Sequence, residues 1–335
     1  MGKNNHLLKA ENIRFQVAGR KRKILDIPGI WLDAGKINFV LGANGAGKSS
    51  LLHFLAGRLH LPDARLFIHG QALPPLSDKL MPGYRGIELI RQEPDLNPHF
   101  RVGEELDRHL RKYDHNTSVR KKQLYIKQFN LKGILEQKTG SISGGERRRL
   151  ALACALAGSP QLILLDEPFS DLDAQGRNLL SSLILEMASQ GIAFLIVSHF
   201  GEDAHWLADE VWTLDAGRII ERLHFQDNGF APGRYKTASL LGMKNIFPAA
   251  LFPGLNVKEW KQLAFPENAL QPYDNGMLLI GDSQCIRSRN ENGSQRLMWK
   301  TPAGLIFTGD AVFGYLEPGS TVNLGIRHED IFFLK

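Results

Sequence analysis

Cysteine is nearly absent: the 335 residues hold two, Cys154 and Cys285. Two isolated thiols form neither a disulfide framework nor a metal-ligand pattern, which suits a reducing compartment. Also missing is any run of roughly 20 uncharged apolar residues, the length needed to cross a bilayer. The longest apolar runs, 162–165 and 193–197, have strand length. The opening residues, MGKNNHLLKAEN, carry no apolar signal core, and His6 stands where an N-myristoylation motif wants Ser or Thr. A cytoplasmic chain is expected. No internal repeat, low-complexity segment or sustained heptad run is present, which excludes repeat arrays and long coiled coils.

Charge of one sign is in slight excess only, with 41 Lys and Arg against 35 Asp and Glu and a net charge of +6. That balance suits an anionic partner such as a nucleoside phosphate or a membrane surface. The clustered basic face that marks nucleic-acid binding is lacking, so no nucleic acid is expected as a partner. The two dense basic runs have plainer readings. Arg20, Lys21, Arg22 and Lys23 read as a solvated hairpin tip between strand-like segments 13–17 and 24–27, and Arg147, Arg148 and Arg149 read as a polar helix face.

What the chain does have is an alternation of short β-rich runs with helical patterns up to residue 222, which predicts a parallel sheet covered by helices. Strands are expected at 37–41, 87–91, 162–165, 193–197 and 211–214. Between 102 and 158 the texture changes to charged helices, an inserted helical subdomain. Residues 223–236 read as a linker. Beyond them, β-rich runs at 277–280, 295–300, 305–308 and 321–326 predict a small all-β domain.

Chemistry is concentrated in a few short motifs. Gly42-Ala43-Asn44-Gly45-Ala46-Gly47-Lys48-Ser49 satisfies G-x-x-x-x-G-K-[ST] between a predicted strand and the helical pattern Leu51, Leu52, Leu55, Leu59. Glycines let backbone N–H groups curl around phosphate oxygens, and the helix N-terminus, including Ser50, adds its positive dipole end. Lys48 would then face the β- and γ-phosphates, and the Ser49 hydroxyl would ligate Mg²⁺. The apolar run 162–165 ends in Asp166 and Glu167, two carboxylates at the carboxyl edge of the sheet. Asp166 is the candidate for the Mg²⁺ shell and Glu167 for the general base that polarises water.

Ser141-Ile142-Ser143-Gly144-Gly145-Glu146 precedes a helical stripe of Leu150, Ala153, Cys154 and Ala157. It resembles the signature sequence of ATP-binding-cassette (ABC) ATPases, with Glu146 in place of the commoner Gln and Ile142 in place of Leu. The resemblance spans about residues 7–222 and implies ATP and Mg²⁺ as cofactors. It implies further that Ser143, Gly144, Gly145 and Glu146 bind the γ-phosphate of ATP held by an opposite subunit. Gln92 matches the glutamine that contacts Mg²⁺ and water. Residues 170–173, ending in Asp173, match the loop that links the two sites. His199 matches the switch histidine, followed by Phe200 where Asp is frequent. The position at which the family usually has an aromatic residue stacked on adenine matches Val17, with Phe15 nearby.

The segments 238–248 and 324–331 resemble the entry and exit of the TOBE domain, a small OB-like β-domain of importer ATPases, with His328 where Pro is frequent. The expected architecture is therefore an α/β P-loop NTPase domain over 1–225, with its helical subdomain at about 95–160, and a TOBE-like all-β domain over 237–335. The resemblance implies an importer ATPase, a dimer on the inner face of the cell membrane, served by integral membrane permease subunits and an extracytoplasmic solute-binding protein. An exporter ATPase and a soluble non-transport ABC ATPase are the alternatives.

Overall fold

The computed structural model describes residues 6–17, 23–78, 82–225, 230–248, 262–265, 271–272, 277–291, 294–301, 306–310, 321–326 and 331–334. Along the chain lie β1 (Leu8–Phe15), β2 (Leu25–Leu32), β3 (Ile37–Leu41), α1 (Lys48–Leu55), β4 (Arg65–Ile68), β5 (Gln71–Ala72) and β6 (Ile87–Ile90). Next come α2 (Val102–Leu110), α3 (His115–Gln128), α4 (Gly144–Ala157), β7 (Leu162–Asp166), α5 (Ala174–Ser189), β8 (Ala193–Ser198), α6 (Ala204–Leu207), β9 (Glu210–Asp215) and β10 (Arg218–His224). Residues 1–225 form one compact unit and 226–335 a second.

In the first unit a six-stranded sheet runs β10-β9-β3-β8-β7-β6, parallel except for β10. Every residue of β3 and β8 is buried, as expected of parallel strands covered on both faces, and this is why they read as unbroken apolar runs. The parallel reading of the whole region needs correction, because β2-β1-β4-β5 form a separate antiparallel sheet. Leu8, Ile13, Leu25 and Ile27 of that sheet share one core with Leu51, Leu52 and Leu55 of α1 and Leu164, Leu195 and Trp212 of the parallel sheet. At 25 cal/mol per Å², each such side chain contributes about 1.5–3 kcal/mol when buried. The helix α1 stops at Leu55, so Leu59 packs on this core from beyond the helix.

The span 102–158 is helical as predicted, with α2 packed on α3 and α4. The stripe Leu150, Ala153, Cys154 and Ala157 is buried, and burial pushes the Cys154 thiol well above its ordinary pKa, which suits an inert packing role. The expected linker is shorter than predicted, since Leu223 and His224 pair with Val211 and Glu210 at the end of β10. Of the basic hairpin tip, only Lys23 lies within the described residues, where it bonds Asp26.

The second unit begins with a helix, α7 (Tyr235–Leu240), so it is not purely β. After it come β11 (Asn245–Pro248), β12 (Gln262–Phe265), β13 (Gln271–Pro272), β14 (Leu278–Glu291), β15 (Ser294–Lys300), β16 (Ile306–Asp310), β17 (Thr321–Ile326) and β18 (Phe332–Leu334). They make two antiparallel sheets, β11-β12-β18 and β13-β17-β14-β15-β16. Phe247 and Phe265 of the first meet Phe307 of the second, with ring centroids 4.7 and 5.8 Å away. Buried Asn245 joins the sheets by donating to the Thr308 carbonyl at 2.8 Å and accepting from its N–H at 3.0 Å. His328 lies outside the described residues.

Candidate active site

The loop between β3 and α1 turns on Gly45 and Gly47, at φ 78° and 109°, left-handed values that favour glycine. A Cβ at Gly47 would lie 2.6 Å from the Ile24 carbonyl oxygen, and one at Gly42 would lie 2.5 Å from that of Leu214. Both positions admit only hydrogen. Ala43, Asn44 and Gly45 form the exposed tip, while Ala46 turns inward and donates to the Ala43 carbonyl at 3.1 Å. No side chain caps α1. The N–H groups of Lys48, Ser49 and Ser50 therefore have no intrahelical acceptor and present an anion site.

Lys48 is 7% exposed. Its ammonium donates to the carbonyls of Gly42 at 2.7 Å and Ala43 at 3.3 Å and stands 3.7 Å from Oε1 of Glu167. One cation thus spans the loop and the end of β7. Burial raises the pKa of Asp166, the last residue of β7, with the neighbouring Ser49 hydroxyl and the Lys48 charge acting against that rise. Glu167 adopts φ 48°, uncommon for a side chain other than Gly, Asn or Asp. Its carboxylate accepts from the His199 N–H at 3.3 Å, and Nδ1 of His199 lies 2.9 Å from the same Oε2, without hydrogen-bond alignment. The Phe200 ring sits 4.0 Å from the His199 ring, so the residue that replaces the frequent Asp makes an aromatic contact.

Ser49, Lys48, Asp166, Glu167 and His199 are brought together in this way. Gln92, two residues past β6, is exposed and bonded to none of them. Val17 is exposed, and Phe15 packs against the unit's core.

A second group forms at the N-terminus of α4. Ser143 caps this helix in a reciprocal box: its N–H and hydroxyl donate to Oε2 of Glu146 at 2.9 and 2.8 Å, and its oxygen accepts from the Glu146 N–H at 3.3 Å. Donation from the Ser143 N–H holds the Glu146 carboxyl below its ordinary pKa. Glu and Gln complete such a box equally, which explains Glu146 in physical terms. Asp173 caps α5 by accepting from Gly176 N–H at 2.7 Å. Ser143, Gly144, Glu146, Asp173 and Gly176 line one concavity of about 460 Å³.

The polar-face reading of the arginine run is wrong at its centre. Arg148 is buried and donates to the Ser170 hydroxyl at 2.8 Å. Arg149 donates to the Phe129 carbonyl at 3.1 Å. Arg147 and Arg149 are half-buried, so it is the centre of the run that is withdrawn from solvent.

Residues 29–170 match the family model described as "ABC transporter". The chain is 30% identical over 314 residues, 93% of its own length and 87% of the relative's, to the Fe(3+) ions import ATP-binding protein FbpC of Streptomyces avermitilis. The chain belongs to the ABC transporter family. It is an ATP-binding, ATP-hydrolysing subunit of such a transporter. Among solved structures, cbiO1 from Clostridium perfringens, part of the cbiONQ ABC transporter complex, superimposes on this ABC ATPase with a TM-score of 0.57 at 23% identity, covering 65% of this chain and 88% of that one. A nucleotide-free ATP-binding cassette from an ABC transporter gives 0.56 at 21% identity, covering 71% and 95%. At that identity the two structures speak to the fold, an ABC cassette. No helix among the described residues is long and apolar enough to cross a membrane.

Proposed function

We propose that this ABC ATPase energises an importer, working as a homodimer at the inner face of the membrane beneath separate permease subunits supplied by an extracytoplasmic solute-binding protein. The observation that carries the catalytic part of the reading is the meeting of Lys48, Asp166, Glu167 and His199 at the carboxyl edge of one sheet. ATP phosphates rest on the N–H groups of the loop tip and of Lys48, Ser49 and Ser50, with Lys48 against the β- and γ-phosphates. Glu167 accepts a proton from the attacking water, while the backbone N–H of His199 steadies its other carboxylate oxygen.

The Ser49 hydroxyl and the neighbouring Asp166 carboxylate are an oxygen donor set that fits Mg²⁺, with Gln92, two residues past β6, as the further ligand. When bound, the ion neutralises charge on the phosphates. Ser143, Gly144, Gly145 and Glu146 serve the partner copy's ATP, and Asp173 fixes the loop beside them.

Segment 92–100 receives a short cytoplasmic helix of the permease; there Asp95 bonds both Arg58 and Arg91 and makes a charged groove. Residues 237–335 are proposed as a TOBE-like domain that retains the dimer between cycles. The Streptomyces avermitilis relative is named for the import of Fe(3+) ions, which makes ferric iron the first solute to test. The experiment is purification of the tagged full chain from native membranes. A multi-span permease recovered with it, cross-linking to a cysteine placed at residue 99, supports the reading; recovery without a membrane partner contradicts it.

A further inference from the structure

Arg148 is a poor choice for stability alone. A guanidinium almost wholly withdrawn from water costs several kcal/mol unless its donors are paired, yet among the described residues Nε of Arg148 has no partner and its fork makes one bond, to Ser170. Burial lowers its pKa, with Asp171 opposing. A methionine would fill the same volume without that cost.

What the bond reaches explains the charge. The Ser170 hydroxyl, which accepts from Arg148, donates its own O–H to the carbonyl oxygen of Glu167 at 2.8 Å. That carbonyl belongs to a residue in the left-handed region, a conformation that persists only where the surroundings over-determine it. The anchors are countable: the Glu167 N–H donates to the Val197 carbonyl at 3.0 Å, and its carbonyl accepts from the Ser170 N–H at 3.3 Å and from the Ser170 hydroxyl. Arg148 holds the last of these in place. It also sits one turn from Ser143, in the helix whose N-terminus serves the second nucleotide group.

We propose that Arg148 is a positioning residue for Glu167, fixing through the Ser170 hydroxyl the backbone from which the general base projects. The inference rests on the reading of Glu167 as that base. It assigns the link between the signature helix and the hydrolytic carboxylate to one named chain of hydrogen bonds, Arg148 to Ser170 to the Glu167 carbonyl.

The test uses the full-length protein and the variants Arg148→Met, Ser170→Ala and Glu167→Gln, singly and combined. Steady-state turnover, ATP affinity by calorimetry and melting temperature are measured for each. Arg148→Met is expected to lower kcat about 10-fold, within the up to 10²-fold that a misplaced catalytic group costs, while ATP affinity stays unchanged and the melting temperature holds or rises. Ser170→Ala should lose the same factor, and the double variant no more than either alone. In the Glu167→Gln background neither change should lower the residual rate further. An unchanged kcat, a loss shared with ATP affinity, or losses that multiply with that of Glu167→Gln would overturn the positioning role while leaving Glu167 as the base. Should Arg148→Met fail to fold, Ser170→Ala decides by the same criteria. Wild-type turnover in Glu167→Gln would instead remove the base itself, and the positioning role with it.

Discussion

The ammonium of Lys48 lies 3.7 Å from Oε1 of Glu167, with both side chains largely withdrawn from solvent. The same ammonium also bonds the Gly42 and Ala43 carbonyls, so one cation organises the loop and faces the carboxylate proposed as the general base. Lys48→Ala removes both. ATP binding should weaken roughly 10- to 100-fold, the worth of a charge-assisted hydrogen bond of about 1.5–3 kcal/mol. Calorimetric titration checks this, and wild-type affinity would contradict the assigned loop.

Asp166 gives a prediction in which stability and function move in opposite directions. Its folded pKa is raised by burial, so above that pKa the folded state carries a buried charge that the unfolded chain holds in water. The cost is fully present at neutral pH and vanishes below the ordinary carboxyl range, where the group is protonated in both states. Asp166→Asn should therefore raise the melting temperature at pH 7, with the gain shrinking as pH falls through the raised folded value and gone below the ordinary carboxyl range. Mg²⁺-dependent ATP turnover should be lost in the same variant. Differential scanning fluorimetry across pH reads the first effect, and a gain that grows toward acid would refute the sign.

Glu146 supplies the opposite case, a carboxylate held below its ordinary pKa by donation from Ser143. Its contribution is present above the ordinary carboxyl range and is lost as pH falls through the lowered folded value. Glu146→Gln keeps the reciprocal cap and should leave stability at pH 7 within about 0.5 kcal/mol. Glu146→Ala should cost about 1 kcal/mol. Equal losses in chemical denaturation would show that the cap does not hold the start of α4.

The site was legible where chemistry restricts residue type within a short stretch. Gly42 and Gly47 are fixed by carbonyls 2.5–2.6 Å from any Cβ, and that steric demand writes itself as a motif. β3 and β8 were legible for a related reason, since burial on both faces leaves unbroken apolar runs. Pairing was legible only in part. The hairpin read between segments 13–17 and 24–27 is the antiparallel pair of β1 and β2, but β1 is half-buried and carries Lys9, Glu11 and Arg14, and its pairing with β4, Leu8 against Ile68, left no local trace. β10 hides likewise behind Glu221, Arg222 and His224, and was read in part as linker. Arg148 was misread because three successive arginines resemble a solvated face; the Ser170 hydroxyl that buries one of them arrives from 22 residues away.

The central claim is that Glu167 is the base of an ATPase whose fold binds nucleotide without it. Steady-state hydrolysis by Glu167→Gln, measured beside its ATP affinity, tests that most directly, because glutamine keeps the shape and loses the proton acceptor. The account predicts turnover lower by roughly 10² to 10⁴ at wild-type Mg-ATP affinity, with the variant accumulating as an ATP-bound dimer in size-exclusion chromatography. Hydrolysis at the wild-type rate would contradict it.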